Sequence, residues 1–120
     1  MKITGLGTDI VEVERIAEFA KNSAALERVF SKTELEYCLN KKNKYEHLAV
    51  RFAAKEAVYK ALPFGGVALK DIEVSNLSDG SPQVTVNDKR AETFKINISL
   101  SHTKNYATAV ALVTEYEDNK

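Results

Sequence analysis

Apolar positions change period several times along the chain, and each change marks an element. Val13, Ile16, Ala17 and Ala20 recur at i, i+3, i+4 and i+7. They predict an amphipathic helix over 11–21 with Glu12, Glu14, Arg15, Glu18 and Lys21 on its polar side. Ser23 to Phe30 predicts a second, short helix. Ser31-Lys32-Thr33-Glu34 is a capping box that opens a third, ending near Leu39. The dominant helix covers Arg51 to Leu62, without Gly or Pro until Pro63 stops it, and Asn43 with Glu46 forms a capping pair that starts it near Lys44. Val50, Ala53, Ala54, Ala57 and Ala61 make one stripe on it. Most of that stripe is alanine, so its neighbour must come close to the backbone. Phe52 and Tyr59 fall off the stripe, which predicts burial on more than one side.

Strand periods fill the remainder. Ile3 to Thr8 predicts a strand in which Gly5 and Gly7 permit close backbone approach. Ile72 and Val74 alternate with polar neighbours, as do Val84 and Val86. Asp79-Gly80-Ser81-Pro82 between them is turn chemistry, so the two runs predict a hairpin. Ile96, Ile98 and Leu100 alternate strictly with Lys95, Asn97, Ser99 and Ser101, and Tyr106 to Val113 is apolar on both faces. These two form an antiparallel pair whose connection carries His102. The expected fold is α+β: a small antiparallel sheet packed against a long central helix plus shorter helices. It is expected to be one domain spanning 1–120.

Composition narrows the class. Seventeen basic residues balance seventeen acidic ones in 120, which argues against nucleic-acid binding through bulk positive charge. No apolar run is long enough to span a membrane and no signal peptide is evident, so a cytoplasmic location is expected. The one cysteine, Cys38, has no internal disulfide partner and reads as core filler beside Leu35 and Leu39. Pro63-Phe64-Gly65-Gly66 is a turn or loop.

Several charged residues admit two readings. Glu56 and Lys60, at i and i+4, are ordered as a surface ion pair worth about 0.2–0.5 kcal/mol. Arg51 and Lys55 are like charges at the same spacing, which repel unless an anion or carboxylate lies between them. A carboxylate with three cations on a nearly buried helix also suits a metal-bridged phosphate site. Asp9, at a strand end before a helix, is a cap or a metal ligand. His102 is a solvated loop histidine or part of a site. His47 has no evident partner. No phosphate loop, zinc spacing or nucleophile elbow is present.

Three stretches together carry a resemblance: Gly7-Thr8-Asp9-Ile10-Val11-Glu12, then Arg51-Phe52-Ala53-Ala54-Lys55-Glu56-Ala57 with Lys60-Ala61, then Ile98-Ser99-Leu100-Ser101-His102-Thr103. In this order they resemble the motifs of the holo-(acyl-carrier-protein) synthase group of 4'-phosphopantetheinyl transferases, nearly end to end. Gly80 and Pro82 resemble the family's hairpin turn. Val58, Tyr59 and the Pro63–Gly66 loop depart from its pattern.

The resemblance implies transfer of phosphopantetheine from coenzyme A to a serine of apo-acyl carrier protein, within fatty acid biosynthesis. It implies Mg²⁺ on Asp9 and Glu56, with Lys60 beside them as a catalytic cation on phosphate oxygens. Arg51, Lys55, Lys60, Pro82, His102 and Thr103 match coenzyme A-binding positions, and Arg15 and Arg28 match positions that meet the carrier protein. A homotrimer with active sites between subunits is implied too. The group that takes the serine proton stays open between a water on the metal and Glu56. A catalytically silent domain of the same fold and a small nucleotide hydrolase are the rival classes.

Overall fold

The structure is a computed structural model that describes residues 1–116 of the 120 in the chain. Its elements run β1 (Lys2–Glu12), α1 (Val13–Phe19), α2 (Ser23–Val29), α3 (Lys32–Leu39), α4 (Lys44–Ala61), β2 (Ile72–Asn76), β3 (Pro82–Val86), β4 (Phe94–His102) and β5 (Tyr106–Glu115). Two short 3-10 turns lie at Leu69–Asp71 and Lys89–Ala91. The expected α+β class is correct, but the strands form two sheets. One is three-stranded in the order β1-β5-β4, all antiparallel; the other is the β2-β3 hairpin.

α4 is the axis of the fold. Ala53, Ala54, Ala57 and Ala61 are buried and pack with Ala109, Ala111 and Val113 of β5. Small residues on both sides let helix and sheet approach closely. β1 comes closer still: a methyl group on Gly5 would lie 1.7 Å from the Ala61 carbonyl oxygen, and one on Gly7 would lie 2.0 Å from that of Ala57. No rotamer escapes a backbone oxygen at that distance, so only glycine fits. A second core joins Val13, Ile16, Leu26, Phe30, Cys38, Leu48 and Val50, where α1–α3 close over the first half of α4. Cys38 is core filler as expected, and burial pushes its thiol up to about 11.

Three local expectations need correcting. β1 continues past Thr8 to Glu12, because Asp9 through Glu12 pair with Ala109 through Tyr106. Asp9 therefore lies inside the strand and caps nothing; the N-cap position of α1 is Glu12, which makes no side-chain cap bond. α1 is accordingly shorter than 11–21. Asn43 does occupy the N-cap of α4, but its side chain makes no cap bond either. The capping box at Ser31 forms as expected, with Ser31 N–H donating to Glu34 Oε1 at 2.9 Å and Glu34 N–H to Ser31 Oγ at 3.2 Å.

The described residues leave one sheet face uncovered. The β5 residues Ala107, Ala109, Ala111 and Val113 face the helix and are buried. On the opposite face Val110 is 42% exposed, and the β1 residues Leu6 and Ile10 are 65% and 68% exposed. Leu6 pairs with Leu112, Thr8 with Val110 and Ile10 with Thr108, so these side chains form one patch.

Candidate active site

The alternation that turns Gly5 and Gly7 toward α4 turns Asp9 the same way. Close approach of β1 then brings the Asp9 carboxylate to the helix edge that carries Glu56 and Lys60. Lys60 Nζ donates to Asp9 Oδ1 at 3.1 Å and to the Thr8 carbonyl at 3.0 Å. The expected Glu56–Lys60 ion pair is absent among the described residues, since Lys60 reaches across to the strand instead. Burial raises the pKa of Glu56, the negative charge of Asp9 raises it further, and Lys60 opposes the shift. Two carboxylates that repel one another, with a cation at hand, open on a hollow of about 400 Å³ walled by Arg15, Ile16, Phe19 and Phe52. No larger cluster of acids, histidines or cysteines able to hold a metal occurs among the described residues. A pair of hard oxygen ligands fits Mg²⁺, which binds through one or two carboxylates and completes its shell with phosphate and water.

A second hollow, of about 380 Å³, lies over the first half of α4 and includes Tyr37, His47, Arg51, Asn76, Pro82 and His102 in its wall. It shares no residue with the first. Arg51 is only 4% exposed. Its Nη2 donates to Asn76 Oδ1 at 2.6 Å, and its guanidinium carbon lies 4.2 Å from the centre of the Tyr37 ring. Its Nε is buried without a partner. A buried, unpaired donor of a permanent cation is costly. Asn76 in turn donates to the Gly80 carbonyl at 3.0 Å, which ties Arg51 to the hairpin turn that carries Pro82.

His102 ends β4, with Nδ1 3.2 Å from Glu46 Oε1. The Thr103 hydroxyl accepts from Tyr106 N–H at 3.1 Å and shapes the turn that follows. His47 does have neighbours: its ring is edge-on to Tyr37 at 5.9 Å and lies 6.1 Å from His102. Burial lowers its pKa, and the nearby charge of Arg51 lowers it further.

Residues 5–111 match the family model of the 4'-phosphopantetheinyl transferase superfamily. The chain belongs to that superfamily. It is 47% identical, over 93% of its length and 99% of the relative's, to the holo-[acyl-carrier-protein] synthase of Thermodesulfovibrio yellowstonii. Over 90% of its length and 95% of the relative's, it is 46% identical to that of Protochlamydia amoebophila. Among solved structures it resembles a holo-(acyl-carrier-protein) synthase from Bacillus anthracis in complex with CoA (3',5'-ADP). The TM-score is 0.83 at 30% identity, covering 97% of this chain and all of that one (100%). The Helicobacter pylori synthase in complex with coenzyme A gives 0.77 at 29% identity, over 91% and 99% of the two chains.

For a phosphopantetheinyl transferase, one expected ligand contact is misplaced. Lys55 is fully buried, and its ammonium donates to Glu34 Oε1 at 2.6 Å, to the Leu69 carbonyl at 2.9 Å and to the Ile72 carbonyl. All three of its hydrogens are engaged inside the protein, which leaves none for a ligand. Glu34 is equally satisfied, with Oε2 accepting Val74 N–H at 2.8 Å. The pair joins α3, α4 and β2. Arg15 lines the carboxylate hollow, whereas Arg28 is exposed in the last turn of α2. Tyr37, Glu46 and Asn76 had no sequence signal as site residues, because each is an ordinary polar position of its own element.

Proposed function

We propose that the protein is a holo-(acyl-carrier-protein) synthase. It transfers 4'-phosphopantetheine from coenzyme A to a serine of apo-acyl carrier protein, releasing adenosine 3',5'-bisphosphate. Membership of the superfamily supports the reaction class. The observation that carries the assignment of chemistry is the facing pair Asp9 and Glu56, with Lys60 across them.

In the reaction the serine oxygen bonds to the phosphorus on the pantetheine side. The pyrophosphate P–O bond breaks with its electron pair leaving on the bisphosphate, and the serine proton passes to water or to Glu56. Asp9 and Glu56 would hold Mg²⁺, which would offset the negative charge of the pyrophosphate and of the leaving bisphosphate. The raised pKa of Glu56 is the electrostatic cost of keeping that pair open for a cation. Lys60, half exposed, moves its ammonium from Asp9 to a phosphate oxygen and meets the charge that develops there. Arg51, Pro82, His102 and Thr103 bind the nucleotide end of coenzyme A. Arg15 and Arg28 face the acidic carrier protein.

The assembly is a homotrimer, with Asp9, Glu56 and Lys60 from one subunit and Arg51 and His102 from its neighbour. Two hollows with no common residue support a site completed between chains, and the uncovered Leu6–Ile10–Val110 face supports an interface. The proposal includes a cytoplasmic location and a role in fatty acid biosynthesis; no helix among the described residues is long and apolar enough to cross a membrane.

Incubation of apo-carrier protein, coenzyme A, Mg²⁺ and this protein, read by intact-mass spectrometry, is the test. A carrier protein heavier by one phosphopantetheine is expected. Free phosphate without a heavier carrier would favour a hydrolase, and no turnover would favour a silent domain.

A further inference from the structure

Glu46 lies in the first turn of α4, where the pattern gives it to the helix cap, but its side chain bonds elsewhere. Its Oε1 meets His102 Nδ1 at 3.2 Å. An ionised carboxylate can only accept, so Nδ1 carries the hydrogen and Nε2 is the nitrogen left for a ligand. A neutral ring in that tautomer presents a lone pair at Nε2, which repels a phosphate oxygen. Phosphate needs the imidazolium, with a hydrogen on Nε2.

Other basic side chains share the hollow with His102. Arg51 and His47 come from α4, and Tyr37 from α3 adds no charge. Glu46 is the acid in contact with the ring. The pair is partly open to water, with side chains 35% and 23% exposed, so it contributes little to stability. It stands instead beside the hollow where Arg51 Nε is buried without a partner.

We infer that Glu46 is a positioning residue for coenzyme A: it fixes the Nδ1–H form of His102 and offsets Arg51, so that His102 meets a phosphate of the nucleotide end as an imidazolium. The inference rests on the proposed role of His102.

The test is steady-state kinetics of Glu46→Ala, Glu46→Gln, His102→Ala and the Glu46→Ala/His102→Ala double variant. Each variant is checked by thermal unfolding, and ¹⁵N NMR reads the His102 ring. Loss of one charge-assisted hydrogen bond raises the KM for coenzyme A roughly tenfold in Glu46→Ala, with a far smaller change in the KM for carrier protein. The double variant matches His102→Ala alone. Glu46→Gln, which can still accept through Oε1 but carries no charge, recovers only part of the affinity; it also carries the test if the alanine variant unfolds.

If His102→Ala weakens coenzyme A while Glu46→Ala does not, or if the two effects add, the inference is overturned and the role of His102 survives. If His102→Ala leaves the KM for coenzyme A unchanged, the role of His102 fails first and the inference with it. A ring hydrogen found on Nε2 alone with Glu46 intact also overturns it.

Discussion

Glu56 carries an electrostatic cost in the folded state. Its folded-state pKa is raised by burial and by Asp9, so the folded protein binds more protons than the unfolded chain between the two pKa values. The stabilising, protonated state is fully present below the unfolded pKa. It is lost as pH rises through the folded pKa, and at neutral pH the ionised carboxylate destabilises the fold. Glu56→Gln is therefore expected to raise the melting temperature at pH 7, with no gain at pH below the carboxylate range, and to abolish transfer. Asp9→Ala and Glu56→Ala are likewise expected to lose transfer while retaining the fold. Mg²⁺ alone should raise the melting temperature of the wild type and not that of Glu56→Gln. A Glu56→Gln variant with full activity, or full wild-type activity in excess chelator, would rule out the metal assignment.

Lys55 belongs to the same scale with the opposite lesson. Removal of one partner from a buried ion pair leaves the other charged and unpaired, at a cost of about 3–5 kcal/mol. Lys55→Met is expected to lower stability to urea by that amount. Its folded fraction, measured at low temperature, should retain a wild-type KM for coenzyme A. A selective rise in that KM without loss of stability would restore Lys55 as a ligand contact. In the sequence Lys60 lies at i+4 from Glu56 and Lys55 at i+4 from Arg51, but the resemblance makes both coenzyme A-binding positions. What separates them is Glu34, which stands on another helix and was legible only as a capping residue.

At the scale of elements, the decisive contact is β1 against α4. Gly7→Ala would force its methyl to within 2.0 Å of the Ala57 carbonyl, so strand and helix must part. Overpacking of this kind costs about 1–3 kcal/mol, and a backbone oxygen that cannot rotate away argues for the upper end or beyond. Because Asp9 follows two residues later on the same face, transfer should fall further than stability alone explains. Equal loss in both would separate the strand from the site. A second element-scale expectation concerns α1, whose polar face presents Arg15 at the mouth of the carboxylate hollow. Arg15→Glu should raise the KM for carrier protein far more than that for coenzyme A, and added salt should narrow the difference. Equal effects on both substrates would remove α1 from the docking surface.

The helices, the hairpin and the β4–β5 pair were legible because period and turn chemistry are local. The alanine stripe and the two glycines were legible as a demand for close approach, without naming the partner. The pairing of β1 with β5 was not legible, because it joins residues about a hundred positions apart. For the same reason Asp9 reads as a strand end, although it lies mid-strand opposite Ala109. The proposed site residues come mainly from the three motifs. The residues that hold the site in shape, Tyr37, Glu46 and Asn76, were not legible, since contact across elements has no signature in spacing.

At the scale of the whole molecule, the proposed site takes one half from each of two chains. The carboxylate hollow and the Arg51–His102 hollow have separate walls, and under the proposed function coenzyme A meets both. A ring of subunits resolves this if the carboxylate side of each faces the histidine side of the next. The uncovered apolar patch at Leu6, Ile10 and Val110 supplies surface to close such a ring. Glu56→Ala removes one side of the site and His102→Ala the other, so trimers of either variant alone are inactive or strongly impaired. Dissociated and mixed, any trimer containing both variants has one junction at which an intact carboxylate side meets an intact histidine side. Equal mixing should therefore return about a quarter of wild-type activity. A site within one chain returns none, because every chain then carries a lesion. Light scattering at assay concentration provides the second arm: a monomer there, or no recovery in trimers shown to be mixed, would exclude the shared site and leave the apolar patch to some other partner.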